Sequence, residues 1–364
     1  HQLALALAAL VLTGGLLYAD HYLTGKMTTD DDFDSLSASD LHQTATEADG
    51  RLEREERFSE ALSGLEEQLA DLPSFTEVDR YLLSNNDIPA EALAKLDTGK
   101  APRSSYLSSD ASKIQVFVLF GLDGVDSSDS VMLVALDRVH QKIKLISLAR
   151  DSYVFIPEFA SFSKLAYSYT WGGAAMAVKN LNYNYYLNVS DYIAVDFDQL
   201  AEIIDRIGGV TVNIDEDEAR YLSNYPNVHV GDCLLDGETA VSYARIRKSS
   251  ATDSDRKRTG RQREVILSIL NTLQTMPLSQ YPGFVRDCLG MCATSFEAET
   301  LLTMAAETLG QNYTVEQYFF PEGQVDWWAG LIKEYFYYVY DLRRASDRIY
   351  RIIYEELYIS GYDD

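Results

Sequence analysis

Apolar and polar positions follow several distinct patterns along the chain. From Leu3 to Ala19 there is no charged residue, a run about as long as the shortest helix that crosses a hydrocarbon core, and it predicts a single membrane-spanning anchor within residues 1–23. A cleaved signal peptide is the rival, but its cut site wants small residues at alternate positions and Leu17-Tyr18-Ala19 puts a bulky side chain there. The acidic run Asp30-Asp31-Asp32 suits the non-cytoplasmic side, because cytoplasmic flanks favour Lys and Arg. Residues 24–50 are polar and lack apolar period, as a solvated linker does. Phe58, Leu62, Leu65, Leu69 and Leu72 then form a seam of one helix, closed by Pro73. Such a seam packs against a neighbour or forms a short membrane-proximal coiled coil. Residues 84–111, with Pro89, Gly99 and Pro102, predict a connector, so that 24–112 is linker and stalk and 113–364 the main domain.

Beyond Lys113 short apolar, β-branched runs alternate with helical periods. Ile114–Phe120, Val131–Leu136 and Ile143–Leu148 predict strands, the last two joined as a hairpin through Asp137–Lys142. Gly172-Gly173 leads into a helical AAMAVKNL. Tyr192–Phe197 predicts a strand, and Asp198 a cap for a helix whose Leu200, Ile203, Ile204 and Ile207 share one face. Gly208-Gly209 ends that helix before a strand over Val210–Ile214. Further on, the pattern predicts a strand over Val241–Arg247, helices over Asp255–Thr275 and Ala298–Leu309, and an aromatic terminal helix around Trp327–Leu357. Almost every strand is too apolar to leave a face in water, so the fold class is α/β, a mixed central sheet flanked by helices, with an N-terminal transmembrane helix.

The 364 residues suffice for a substantial core, and 46% hydrophobic with 24% charged residues is the balance of an ordinary globular body. The formal net charge of −25 argues against a general nucleic-acid binder, so any anion site is local. Cys233, Cys288 and Cys292 are too few for a disulfide framework and form no zinc pattern. Cys288 and Cys292 either pair or remain buried thiols.

Against that acidic background Arg245, Arg247, Lys248, Arg256, Lys257, Arg258, Arg261 and Arg263 crowd into one stretch with only Asp253 and Asp255 among them. On a strand Arg245 and Arg247 project from one face, and on a helix Arg258, Arg261 and Gln262 share another. Those two sets could converge on one phosphate group, because the planar guanidinium donates two parallel hydrogen bonds and stays charged. Lys248, Arg256, Lys257 and Arg263 fit better as a solvated face. Asp123 follows the first strand and Asp129 precedes the next, so two carboxylates meet at one sheet edge, a donor set that suits magnesium with phosphate oxygens but is common in turns as well. Asp126 reads as a turn residue.

The blocks VFVLFGLDG, SSDSVMLVALD, KIKLISLARDSYVFIP, KLAYSYTWGGAAMAVKNL, VDFDQLAEIIDRIGGVTV, LLDGETAVSYARIR and DRKRTGRQREVI, in this order, resemble the LytR-CpsA-Psr proteins, membrane-anchored enzymes of Gram-positive cell envelopes. The resemblance runs from about Lys113 to the end of the chain. It implies a catalytic domain that transfers a glycopolymer from polyprenyl pyrophosphate to peptidoglycan, with a single-pass membrane anchor and the domain outside the cell. It also implies Asp123 and Asp129 as magnesium ligands. Arg150, Arg245, Arg247, Arg258 and Arg261 would surround the pyrophosphate, and Asp255, Gln262 and Lys164 match remaining polar site positions. Asp129 and Asp151 are both candidates for the general base, and Asp151 is equally a candidate for orienting Arg150. An apolar tunnel between sheet and helices would take the lipid tail. Ser127 stands where the family usually has an arginine, which removes one cationic contact. A phosphohydrolase and a non-catalytic envelope regulator are the rival functions.

Overall fold

The computed structural model describes residues 72–101, 109–123, 128–246, 251–275, 291–297, 300–301, 303–304, 307, 313–321 and 325–355; within 251–275 it describes the side chains of 256–269, 271 and 272. The expected anchor, linker, seam before Leu72, Asp126, Ser127, Arg247, Lys248, Cys288, the side chain of Asp255 and most of 298–309 lie outside these residues. No helix among the described residues is long and apolar enough to cross a membrane.

The chain is α/β, with a central mixed sheet flanked by helices. In order come α1 (Phe75–Val78), α2 (Ala90–Leu93), β1 (Ile114–Leu122), β2 (Ser128–Asp137), β3 (Lys142–Leu148), β4 (Tyr153–Ile156), β5 (Ser161–Lys164) and α3 (Leu165–Tyr185). They are followed by β6 (Asp191–Asp196), α4 (Phe197–Arg206), β7 (Val210–Ile214), α5 (Glu216–Tyr221), β8 (Gly231–Leu235), α6 (Gly237–Arg245) and α7 (Ala251–Thr275). Last are β9 (Ala293–Thr294), β10 (Thr314–Phe320), β11 (Trp327–Ile332), β12 (Tyr335–Tyr340) and α8 (Leu342–Tyr354). The described residues divide into two compact units: a helical unit within Ile193–Val315, and a sheet unit formed by residues 72–192 together with 316–355.

In the sheet unit the strands run in the order β10-β3-β2-β1, with β1–β2 and β2–β3 antiparallel. The expected hairpin through Asp137–Lys142 is present, and Val131 to Leu136 are all buried. The glycine pair lies inside α3 rather than before it: Gly172 and Gly173 kink the helix, and Gly173 takes φ +61° with ψ −159°, a backbone that only glycine adopts readily. The segment expected as a connector contributes Ile88 and Ala92 to a core shared with Leu83, Tyr153, Tyr337 and Val339.

The aromatic helix expected over Trp327–Leu357 is instead a hairpin, β11 with β12, followed by α8. Trp, Tyr, Phe and Val fit a pleated surface, the turn residue Lys333 takes φ +54°, and Asp341 caps α8 by accepting from Arg344 N at 2.7 Å.

In the helical unit the cap of α4 is Asp196, not Asp198: its carboxylate accepts from Gln199 N, and Gln199 answers the Asp196 amide. Of the strand expected over Val241–Arg247, Val241 to Arg245 belong instead to helix α6. Asp236 caps it through Thr239 N at 2.9 Å, and Ala240, Val241, Tyr243 and Ala244 are buried at helical spacing. Gly237 starts it because α6 lies against α4 so closely that a Cβ there would sit 2.0 Å from the Ala201 carbonyl oxygen.

Asp137, at the β2–β3 turn, is fully buried and accepts from the amides of Val139 and His140 at 3.0 Å, from the His140 ring at 2.9 Å and from Lys144 at 3.4 Å. Burial alone would raise its pKa, but the His140 bonds and the Lys144 charge outweigh it and hold the carboxyl below the usual range. A depressed folded-state pKa contributes stability that is present above the unfolded value near 4 and lost as pH falls through the folded one. Asp137→Asn should therefore lower the urea midpoint at pH 7 and flatten the loss of stability below about pH 4. An unchanged acid limb in the variant would assign that limb to other carboxylates.

Candidate functional site

The sheet unit carries one half of the expected chemistry. β1 and β2 pair in register as far as Gly121 with Ser130, after which Leu122 faces Ser128, so Asp129 is the extra residue of a β-bulge. A bulge re-aims a side chain, and here it delivers a carboxylate that is only 6% exposed. Arg150 Nη1 donates to Asp129 Oδ1, and Arg150 Nε lies 3.7 Å from Asp151 Oδ2. Lys164 Nζ, at the junction of β5 and α3, donates to Asp151 Oδ1 at 2.6 Å. The result is an alternating chain, Asp129–Arg150–Asp151–Lys164, with every side chain less than a fifth exposed. Asp151 faces a cation with each oxygen, which makes it an orienting group. Asp123 closes β1 at the same end of the β1–β2 pair, half-buried.

Lys164 is also caged by aromatic faces, its ammonium lying 5.3 Å from the Tyr337 ring centre, 5.8 Å from Tyr335 and 5.9 Å from Tyr167. Burial, then Tyr335, Tyr81 and the Asp151 carboxylate, push the Tyr167 hydroxyl up to about 12, so it remains a donor at neutral pH. No local pattern signals this cage, because two of its rings come from a hairpin whose composition also suits a helix. Between β1, β2 and α3 the crevice among Phe120, Val131, Leu165, Tyr169 and Leu181 has no room for a water molecule.

The helical unit carries the other half. Arg258, Arg261 and Gln262 share the buried face of α7, at 1%, 4% and 7% exposed, whereas Arg256 and Lys257 are exposed and Arg263 half-buried. The predicted face is therefore real, as is the solvated character of Arg256 and Lys257. Gln262 is the unusual member: neither its Oε1 nor its Nε2 has a hydrogen-bond partner among the described residues. Arg261 is committed within the fold, donating from Nε to Glu218 Oε1 at 2.6 Å and from Nη1 to the Ile246 carbonyl at 3.0 Å. It thereby ties α7 to α5 and to the segment leading to Arg247. Arg245 is the last residue of α6 and not part of a strand pair; its exposed guanidinium lies 4.7 Å over the Phe197 ring. Glu218, which the sequence did not single out, caps this arrangement by also accepting the Asp215 amide at 2.9 Å.

Among the described residues no three or more Asp, Glu, His or Cys side chains gather as a metal cage. Asp123 and Asp129 nevertheless fit magnesium as a donor set, since that ion takes hard oxygens and is content with one or two carboxylates when phosphate oxygens complete its shell.

The family model described as the LytR_cpsA_psr family matches residues 86–349. The polyisoprenyl-teichoic acid–peptidoglycan teichoic acid transferase TagU of Enterococcus faecalis is 29% identical over 166 residues, 44% of this chain and 54% of that protein. TagU of Oceanobacillus iheyensis is 28% identical over 230 residues, 60% of this chain and 69% of that protein. The regulatory protein MsrR of Staphylococcus aureus is 30% identical over 184 residues, 48% of this chain and 54% of that protein. The match thus spans about half the length of the Enterococcus and Staphylococcus proteins. A structure of TagT bound to LIIa-WTA shares the fold with TM-score 0.56 at 20% identity, over 71% of this chain and 96% of that one. Protein gbs0355 of Streptococcus agalactiae does so with TM-score 0.57 at 23% identity, over 70% and 91%.

The Arg261–Glu218 pair generates a stability prediction. Its side chains are 5% and 9% exposed, and removing one member leaves an uncompensated buried charge, at a cost of about 3–5 kcal/mol. Glu218→Gln should lose about that much in urea unfolding without any phosphate ligand present. A loss below about 1 kcal/mol would mean that the pair behaves like a surface bridge.

Proposed function

This chain belongs to the LytR-CpsA-Psr family, and from that premise we propose that it moves a glycopolymer from polyprenyl pyrophosphate onto peptidoglycan, forming a phosphodiester link and releasing polyprenyl phosphate. The relatives named as teichoic acid–peptidoglycan transferases support the class of reaction. The observation that carries the reading is the buried Asp129–Arg150–Asp151–Lys164 chain, because it presents two fixed cations beside a carboxylate at the end of a strand. The protein would work at the outer face of the cell membrane, anchored by the Leu3–Ala19 run, with no nucleic-acid partner.

In the reaction a peptidoglycan hydroxyl attacks the phosphorus that bears the glycan, its proton passes to solvent, and the bond to the bridging oxygen breaks so that polyprenyl phosphate leaves with the electron pair. Arg150 and Lys164 stabilise charge on the phosphate oxygens, and Asp151 holds both in place before substrate arrives, which removes reorganisation from the barrier. Asp123 and Asp129 would hold magnesium, which supplies further neutralisation of phosphate charge when bound. In the helical unit Arg258 and Gln262 are the groups on the buried face of α7 that suit a phosphate oxygen. Arg245 and Arg247 stand by their sequence positions, and Asp255 by its match to the family.

The test is turnover of a polyprenyl-pyrophosphate glycopolymer by the full chain in detergent with magnesium, with and without peptidoglycan. Arg150→Lys and Asp129→Asn should each lower turnover about 100-fold or more, with the circular dichroism spectrum unchanged. Lys257→Ala, on the exposed face of α7, should leave it unchanged. Phosphate or sugar-phosphate release that ignores peptidoglycan would make the protein a phosphohydrolase, and binding without turnover would make it a regulator.

A further inference from the structure

Five aromatic rings from four separate stretches of the sheet unit gather beside Lys164. Tyr167 and Trp171, one turn apart at the start of α3, have centroids 5.4 Å apart. Tyr81 packs against Tyr167 at 4.9 Å, Tyr335 at 5.6 Å and Trp171 at 6.4 Å, and Phe159 meets Trp171 edge-on at 5.3 Å. Trp171 is 9% exposed, but Tyr81, Phe159, Tyr167 and Tyr335 each keep part of their surface in solvent. Of the five rings Tyr335 packs against the neighbouring core cluster that includes Tyr153, Tyr337 and Val339, whereas Tyr81, Phe159, Tyr167 and Trp171 stand outside it.

The rim of the cluster is polar and cationic. The Arg80 guanidinium lies 4.5 Å over the Tyr81 ring, and Lys164 faces both Tyr167 and Tyr335 while its charge is bound to Asp151. A hydrocarbon tail laid here would desolvate these cations and give nothing in return. A pyranose differs, since it offers a C–H face to aromatic rings and hydroxyls to tyrosine, lysine and arginine donors at the edge. Because Lys164 reaches Arg150 through the single carboxylate of Asp151, the rings adjoin the cations that address phosphate.

We propose that Tyr81, Tyr167, Trp171 and Tyr335 form a sugar-binding platform for the pyranose unit next to the phosphate. This rests on the reading that Arg150 and Lys164 address that phosphate, and it assigns the glycan, not the lipid, to this face of the sheet unit.

The chain has three tryptophans, so a Trp327→Phe/Trp328→Phe protein reports on Trp171 alone. Three probes are titrated into it: a neutral tetrasaccharide of N-acetylglucosamine, inorganic pyrophosphate followed by calorimetry, and a short polyprenol in detergent. The tetrasaccharide should change Trp171 emission saturably. Tyr81→Ala and Tyr335→Ala should each weaken it about tenfold, Tyr335→Phe should retain most of the affinity, and pyrophosphate affinity should not move in any of them. If the tetrasaccharide gives no saturable change in a protein that binds pyrophosphate, the platform is wrong while the phosphate reading stands. Polyprenol competing for the same signal overturns it equally. Tetrasaccharide binding without pyrophosphate binding supports the platform and removes the phosphate reading instead.

Discussion

Burying four charges beside one end of the β1–β2 pair is the constraint on which the sheet unit depends. An isolated carboxylate or guanidinium taken out of water is costly, and each member of the Asp129–Arg150–Asp151–Lys164 chain is tolerable only because its neighbour carries the opposite sign. Alternation gives the chain no net charge, but it also demands that four residues from three stretches of sequence arrive within a few ångströms of their places. The backbone around Arg150 shows how that demand is met. Ala149 N donates to Phe320 O at 2.8 Å, Ala166 N to Arg150 O at 3.0 Å, Tyr338 N to Asp151 O at 2.9 Å, and Leu165 N to Ser152 O at 3.0 Å. Consecutive residues are thus tied to β10, to the start of α3 and to β12. The Ser152 hydroxyl continues the anchoring, donating to Ala149 O at 2.6 Å and meeting the Tyr340 hydroxyl at 2.9 Å, which itself meets that of Tyr185 at 2.5 Å.

The helical unit solves a related problem differently. Its long helix carries basic residues on two faces, and the division is set by partners rather than by composition. Arg261 goes inside because Glu218 and the Ile246 carbonyl are there to receive it, whereas Lys257 lies on the exposed face. A consequence is that Arg261 cannot be read simply as a ligand-binding cation. Two of its nitrogens hold the fold, and their role in positioning the Ile246 segment is mechanical. Gln262 is the reverse case, a buried amide for which the described fold provides no partner, and burial of that kind costs free energy unless something else uses it.

What was legible in the sequence follows from how local its causes are. β1, β2 and β3 were readable because their apolar runs are bounded by turn residues and end up buried as a set. The helix over Phe197–Arg206 was readable from a single apolar face, with only its cap displaced by two residues. The buried face of α7 followed from the spacing of Arg258, Arg261 and Gln262. The failures came where a local pattern fitted two answers. VSYARIR has the β-branched and aromatic content of a strand, and what makes it helical is Asp236 at its cap and the close approach to Ala201 that Gly237 permits. Neither contact is visible from the segment itself. Trp327–Tyr340 suits a helix or a hairpin by composition, and the turn at Lys333 decides it. The bulge at Asp129 has no sequence signature here at all, since one extra residue in a register appears only when both strands are paired.

That last pair of failures is connected to the site. Because β12 is a strand, its residues alternate: Tyr335, Tyr337 and Val339 take one face, with Tyr337 and Val339 in the core and Tyr335 at its edge, while Tyr338 uses its backbone to hold Asp151. A helix over the same stretch would place every third or fourth ring on a common face and leave no free amide for the Asp151 carbonyl. The hairpin therefore performs two tasks that only an extended strand can combine, supplying rings to Lys164 from its side chains and a hydrogen bond to the neighbouring carboxylate residue from its main chain. Residues almost two hundred positions from Asp151 fix its geometry in this way, and so the Arg150–Asp151–Lys164 arrangement belongs as much to the end of the chain as to the segment that carries Arg150.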